Sequence, residues 1–304
     1  MANLSSMASR SPHHPHRSSQ LELGIHRAPE PDRNHEKGGR SFYFFDFDDN
    51  VAFLSTKIFL FHKESGKESA VSTADFAQNG KKVGRTGPYR DFEVRLDDET
   101  GSFRRFRDFD AKKMELALNR SQPFVEDMIE ALGRSDVHWK GPSWSCFYHA
   151  AFNQRPLSVI TARGHHPNTI RDGIQSFVQM GHLPVSPNYL GIYPVSHKET
   201  RRNLGDVDER LTVAQLKRRA IRKSVEEAFE VYGFNDHHRF GMSDDDPHNV
   251  ELIIEEMAQL KKDFPKMSFF VIEAFGDRHT KIEIFEDHLD RTALSLKETQ
   301  LSFF

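Results

Sequence analysis

Asp46, Phe47 and Asp48 close an aromatic run, Ser41–Asp46, as two carboxylates spaced by two. On a strand alternate side chains share a face, so such a pair can meet one ligand. Asp244 and Asp245, in the loop SDDDP, supply further carboxylates after another apolar stretch. Gathering this much negative charge without a cation is costly. A hard divalent ion such as magnesium takes oxygen ligands, keeps several waters and can neutralise a phosphoryl group in transfer. The same residues have simpler uses. Asp48 and Asp49 can be loop residues, and Asp246 can cap a helix that opens at Pro247.

These groups meet only if the elements carrying them share an edge. SFYFFD is a continuous apolar run ending in a carboxylate, the pattern of a strand buried on both faces. Leu157–Thr161 is a second such strand and Tyr189–Val195 a third, with a helix predicted over Thr169–Met180 between them. Thr212 and Gln215 form a capping-box pattern that opens a long helix, which Gly233 can end. A short strand at RFGMS, a helix over Asn249–Phe264 and a strand over Ser268–Phe275 follow. Strands alternating with helices predict a doubly wound, mainly parallel α/β sheet of Rossmann-like type. Ligands of such sheets bind beyond the carboxyl ends of the strands, where Asp46, Thr161 and the SDDDP loop all fall.

Between Asn50 and Arg155 the alternation breaks down. KIFLFHKESGKESAVS predicts a β-hairpin turning at Glu64–Lys67, and GPYRDFEVRLDDETGSFRRFRDF a second turning near Asp98–Gly101. Gln122–Gly133 predicts a helix. Residues 51–150 are therefore read as an α+β insertion over the active edge of a core formed by 41–50 and 151–304. Residues 1–40 are rich in Ser, Pro, His, Arg and Gly, and are read as a disordered arm.

FYFFDFDDNV, SVITARG, a lysine on the long helix, and GMSDDDPHNV resemble the four ordered motifs of the haloacid dehalogenase superfamily. The resemblance covers Ser41–Asn50 and about Leu157–Phe275, and rests on order and spacing more than on any one motif. It implies a phosphatase-type core with a cap inserted between the first and second motifs. It implies that Asp46 attacks phosphorus and forms an aspartyl-phosphate, and that Asp48 gives and takes the proton. Asp46, the main-chain carbonyl of Asp48, and Asp244 with or without Asp245 would hold magnesium. Thr161 would hydrogen-bond a phosphoryl oxygen, with Ala162 and Arg163 beside it as substrate contacts. Lys217, with Lys223 as the alternative, would supply the positive charge, because a helix start can face the site. Lys217 lies near the helix start, whereas Lys223 is nearly two turns further along but stands at a more usual sequence distance from Asp244. Asn50 stands where the family often has Thr, and can still hydrogen-bond locally.

Composition bounds the function. A hydrophobic content of 37% with 26 Phe supports a substantial core, and a net charge of −3 gives no electrostatic case for a nucleic-acid or membrane partner. No apolar run approaches bilayer length, Met1–Gln20 lacks the apolar stretch of a secretory signal, and a lone Cys146 excludes an intrachain disulfide. A cytoplasmic location is expected, and no protein partner is evident. Arg104, Arg105 and Arg107 interleave with Phe103, Phe106 and Phe109, a mixture that suits phosphate and base contacts but equally a hairpin with one charged face. His13, His14 and His16 could bind a transition metal or be solvated, and His165 and His166 could touch substrate or cap a helix. His237 and His238 read as turn residues, Cys146 as buried filler, and Trp139 and Trp144 as packing or stacking groups. The expected activity is a magnesium-dependent phosphomonoester hydrolase acting on a phosphorylated small molecule. A nucleic-acid end-processing phosphatase and a non-catalytic binding or regulatory protein are the alternatives.

Overall fold

The computed structural model describes residues 28–110, 121–275 and 278–294. His13, His14 and His16, with most of the expected arm, lie outside the described residues. The strands are β1 (Ser41–Phe45), β2 (Ile58–His62), β3 (Glu68–Val71), β4 (Phe92–Glu93), β5 (Leu157–Thr161), β6 (Tyr189–Pro194), β7 (Arg239–Asp244), β8 (Ser268–Phe275), β9 (Arg278–Ile284) and β10 (Leu289–Leu294). The helices are α1 (Thr73–Asn79), α2 (Pro123–Leu132), α3 (Asp136–Trp139), α4 (Trp144–Phe152), α5 (Pro167–Gln179), α6 (Lys198–Asn203), α7 (Val213–Tyr232) and α8 (Pro247–Asp263).

Seven strands form one sheet in the order β10-β9-β8-β7-β1-β5-β6. β8, β7, β1, β5 and β6 run parallel, and β9 and β10 extend the sheet antiparallel. The central strand β1 explains its own aromatic run. Alternate side chains leave a strand on opposite faces. Phe42 and Phe44 pack with Leu216, Ala220 and Ile221 of α7 and with Ile253 and Met257 of α8. Tyr43 and Phe45 pack on the other face with Phe124, Trp144, Phe147 and Phe177. Fully burying each such ring is worth roughly 1.5–3 kcal/mol, so the strand is anchored from both sides.

α7 begins where expected. The Thr212 side chain accepts from the Gln215 N–H while the Gln215 side chain accepts from the Thr212 N–H, and Gly233 follows its end at φ +79°. The acidic loop caps α8 as foreseen, with Asp246 accepting from the His248 N–H ahead of Pro247 at the helix start.

The stretch 51–150 divides into two parts. β2, β3 and β4 form a small antiparallel sheet with its own cluster around Ile58, Leu60 and Val71. The last part, α2 to α4, packs in the main core, and Phe124, Met128, Trp139, Trp144 and Phe147 belong to the layer that covers Tyr43 and Phe45. The first expected hairpin forms, pairing Ile58–Phe61 with Glu68–Val71. The second does not. Phe92 and Glu93 pair with β2, and Arg104–Phe106 is a turn of 3₁₀ helix. The short run between turn residues could not sustain a ladder of its own.

Residues 28–40, expected to belong to a disordered arm, correct that reading, because polar contacts tie them to the core. Asp32 pairs with Arg155 at 3.0 Å and accepts the Ser41 N–H, and the Arg155 side chain donates to the Glu30 carbonyl. A polar segment thus gains order without an apolar core of its own. Among the described residues no helix is long and apolar enough to cross a membrane.

Candidate active site

The carboxyl ends of β1, β5 and β7 meet the start of α7. Asp46 follows β1 directly, held by its N–H donating to the Ser243 carbonyl at 2.9 Å. Asp244 closes β7, and Lys217 lies in the first turns of α7. Lys217 Nζ is 3.1 Å from Asp46 Oδ1 and 2.9 Å from Asp244 Oδ2, and the lysine is 3% exposed. Of the two candidate lysines, Lys217 is therefore the one at the carboxylates. Asp244 is further fixed through Oδ1, which accepts the Asp246 N–H and the Asn249 side-chain amide.

Asp46, Asp244 and Asp245 each offer a carboxylate oxygen within 4.8 Å of the others. Burial and mutual repulsion dominate their electrostatics. Burial raises Asp46 well above the usual carboxylate range. Lys217 opposes that rise, while Asp244, Asp245 and Asp48 add to it. Burial, with Asp244 and Asp49 adding, raises Asp245 to about 7, and burial raises Asp49 to about 6. Burial alone would lower the Lys217 ammonium, but Asp244 and Asp46 more than offset it and hold its proton firmly. One lysine does not balance this cluster. Clustered carboxylates of raised affinity for protons form the hard-oxygen donor set that suits a divalent cation.

Asp48 lies outside that trio. Its carboxylate receives Arg163 Nε at 2.9 and 3.0 Å and Nη2 at 2.6 Å, with the Thr161 hydroxyl at 3.2 Å. Arg163 was expected among the substrate contacts. It is instead buried, its guanidinium lying 4.8 and 4.7 Å from the ring centroids of Phe106 and Phe124. Nη2 also donates to the Thr56 hydroxyl at 2.7 Å, which donates to Asp127 at 2.6 Å. Thr161 accepts the Arg163 N–H, so the loop Thr161–Arg163 is folded onto Asp48.

Arg104 and Arg105 are likewise engaged within the protein. Arg104 pairs with Glu68 at 2.7 Å and lies over Phe59, and Arg105 pairs with Asp127 at 2.6 Å. Both had been read as substrate contacts. Their buried or apolar neighbours draw the guanidinium groups inward.

Asn50 accounts for the departure from Thr at its position. Its side-chain amide donates to the Asp46 and Ser243 carbonyls at 3.0 and 3.1 Å, and its Oδ1 accepts from Ser143 and Ser243. One buried carboxamide thereby ties the Asp46 turn to β7 and α4. Asp49, beside it, adopts φ +59°, a left-handed conformation that Asp tolerates. Cys146 and Trp139 are buried in the core, and Trp144 meets Trp139 edge to face and Phe177 at a tilt. His165 is fully buried against Phe124. Sequence reasoning missed Thr56 and Asp127, since nothing in local spacing marks a pair joined across 71 residues.

Comparison with protein families, curated proteins and solved structures finds no match to this chain. The geometry of the site and the motif resemblance therefore carry the functional reading.

Proposed function

We propose that the chain is a magnesium-dependent phosphomonoester hydrolase of the haloacid dehalogenase type, with Asp46 as nucleophile. The observation that carries this reading is the convergence of Asp46, Asp244, Asp245 and Lys217 at one sheet edge. A phosphoryl group is anionic, and a site that holds it needs both a positive charge and a divalent cation to offset nearby carboxylates. Asp46, Asp244 and Asp245 would hold the cation, which supplies charge neutralisation for the phosphoryl oxygens.

The chain's own residues then divide the work. An Asp46 oxygen attacks phosphorus, the P–O ester bond breaks, and the leaving oxygen departs with its electron pair and takes a proton from Asp48. Water next attacks the aspartyl-phosphate, giving its proton to Asp48, and phosphate leaves with Asp46 regenerated. Asp48 accepts from Arg163 and Thr161, so it must take up a proton before it can give one, and Arg163 sets where that carboxylate stands. Lys217 steadies the charge on Asp46. The small β2–β4 sheet, joined to the core through Thr56 and through Arg107 beside Gly164, is read as the cap.

The nucleic-acid alternative loses support, because Arg104 and Arg105 are paired with Glu68 and Asp127. Phosphate release from an aryl phosphate, measured with magnesium, tests the proposal. Asp46→Asn should abolish release. Failure of the unaltered protein on a broad phosphoester panel would sink the reading.

A further inference from the structure

A cavity of about 460 Å³ lies between the small sheet and the core, within the size range of ligand pockets. Ile58, Phe76, Phe103 and Phe106 line it from one side, and Ala162 and Val213 from the other. It is continuous in the chain with the candidate active site. Ala162 follows Thr161, and Val213 precedes Lys217 by one helical turn. Phe106 is the ring beneath the Arg163 guanidinium that grips Asp48.

The wall is mainly apolar and aromatic, with Thr73 and Ser196 as its uncharged polar members. Phe103 meets Phe76 and Phe106 edge to face, with centroids 5.5 and 6.1 Å apart. The charged group at the border, Arg107, is paired with Asp98 at 2.9 Å. Leu96 at the rim is 78% exposed, an apolar side chain with little of its own to cover. A sugar or nucleotide placed here would lose water from its hydroxyls and find few partners, whereas a hydrocarbon would gain from burial.

We infer that this cavity receives the leaving group of the substrate, and that the substrate is a phosphate monoester of an apolar alcohol, aromatic or branched. The inference rests on the hydrolase reading for the word ester, but the cavity's preference for an apolar group can be measured without turnover.

Calorimetry on the full chain with magnesium can compare 1-naphthylmethylphosphonate, which is not hydrolysed, with methylphosphonate. The naphthyl compound is expected to bind on the order of fifty- to a hundredfold tighter, the effect of burying roughly 100 Å² of apolar surface. Val213→Trp fills the cavity from the start of α7, and Leu96→Asp places a charge at its exposed rim. Each should reduce the preference by about tenfold or more. Equal binding of the two phosphonates, or a preference that neither variant alters, overturns the inference. A naphthyl preference in a protein that turns over no phosphate ester supports the cavity assignment while removing the hydrolase reading. Turnover of phosphate esters with equal phosphonate binding does the reverse.

Discussion

Arg163 holds the Asp48 carboxylate with Nε at 2.9 and 3.0 Å and Nη2 at 2.6 Å, a two-pronged pair between the loop after β5 and the turn after β1. Lysine keeps the charge but not the fork. Arg163→Lys is therefore expected to lower kcat by ~10–100-fold through a displaced Asp48, with a smaller change in KM. Steady-state kinetics on an aryl phosphate, with a pH profile, would check it. An unchanged kcat and profile would show that Asp48 needs no such positioning.

Lys217 and Lys223 separate cleanly. Lys217→Met leaves Asp46 and Asp244 buried without their counter-charge, and should cost about 3–5 kcal/mol in urea unfolding as well as turnover. Lys223→Met, away from the carboxylates, should stay within about 1 kcal/mol and keep activity. Loss of turnover in Lys223→Met alone would reverse the assignment.

In the proposed site a cation would compete with protons for the oxygens of Asp245, and Asp49 lies beside them. Asp245 and Asp49 are raised from the ordinary 3.8 to about 7 and about 6. The folded state therefore binds more protons than the unfolded chain across that interval, and the resulting stability is full below about pH 4 and lost as pH rises through about 6 to 7. Magnesium binding needs the ionised form, so its stabilising effect should grow in the opposite direction. Melting curves with and without excess magnesium should diverge more at about pH 8 than at about pH 5.5. An equal or larger magnesium shift at the lower pH would contradict the assignment.

Asn50→Ala strips partners from two carbonyls and two serine hydroxyls at once, and should cost about 2–3 kcal/mol. Asn50→Thr restores a single donor and should fall between. Urea midpoints for both variants decide this, and equal midpoints for Ala and the native residue would deny Asn50 its bracing role.

The contact of α2 with α5 can be tested at Gly173. A Cβ there would lie 2.4 Å from Phe124 Cδ1 and Cε1. Gly173→Ala should destabilise by about 1–3 kcal/mol, and adding Phe124→Leu should recover most of that loss. Simple additivity of the two changes would argue against the close approach.

The site's legibility in sequence follows the range of its interactions. The aromatic run of β1 announces a doubly buried strand because both faces demand apolar side chains, and the Thr212–Gln215 cap is encoded within four residues. Asp46, Lys217, Asp244 and Asp245 could be named because strand ends and a helix start are locally written. Arg163 misled, since a loop arginine beside a presumed phosphate site reads as a substrate contact until its distant carboxylate is known. α4 went unnoticed because its sequence, WSCFYHAAF, is apolar on nearly every side and shows no helical stripe. β9 and β10 went unnoticed as well, because charged residues interrupt the apolar pattern of these outer strands.

One hydroxyl, that of Thr56, accepts from Arg163 and donates to Asp127, which in turn holds Arg105. Asp48, Arg163, Thr56, Asp127 and Arg105 thus form an unbroken string of polar bonds. A substitution at Asp127 is therefore expected to be felt at Asp48 without touching it. Under the proposed hydrolase mechanism, a change that loosens the anchorage of the small sheet would retune proton transfer as well as substrate fit, coupling affinity to turnover at this seam.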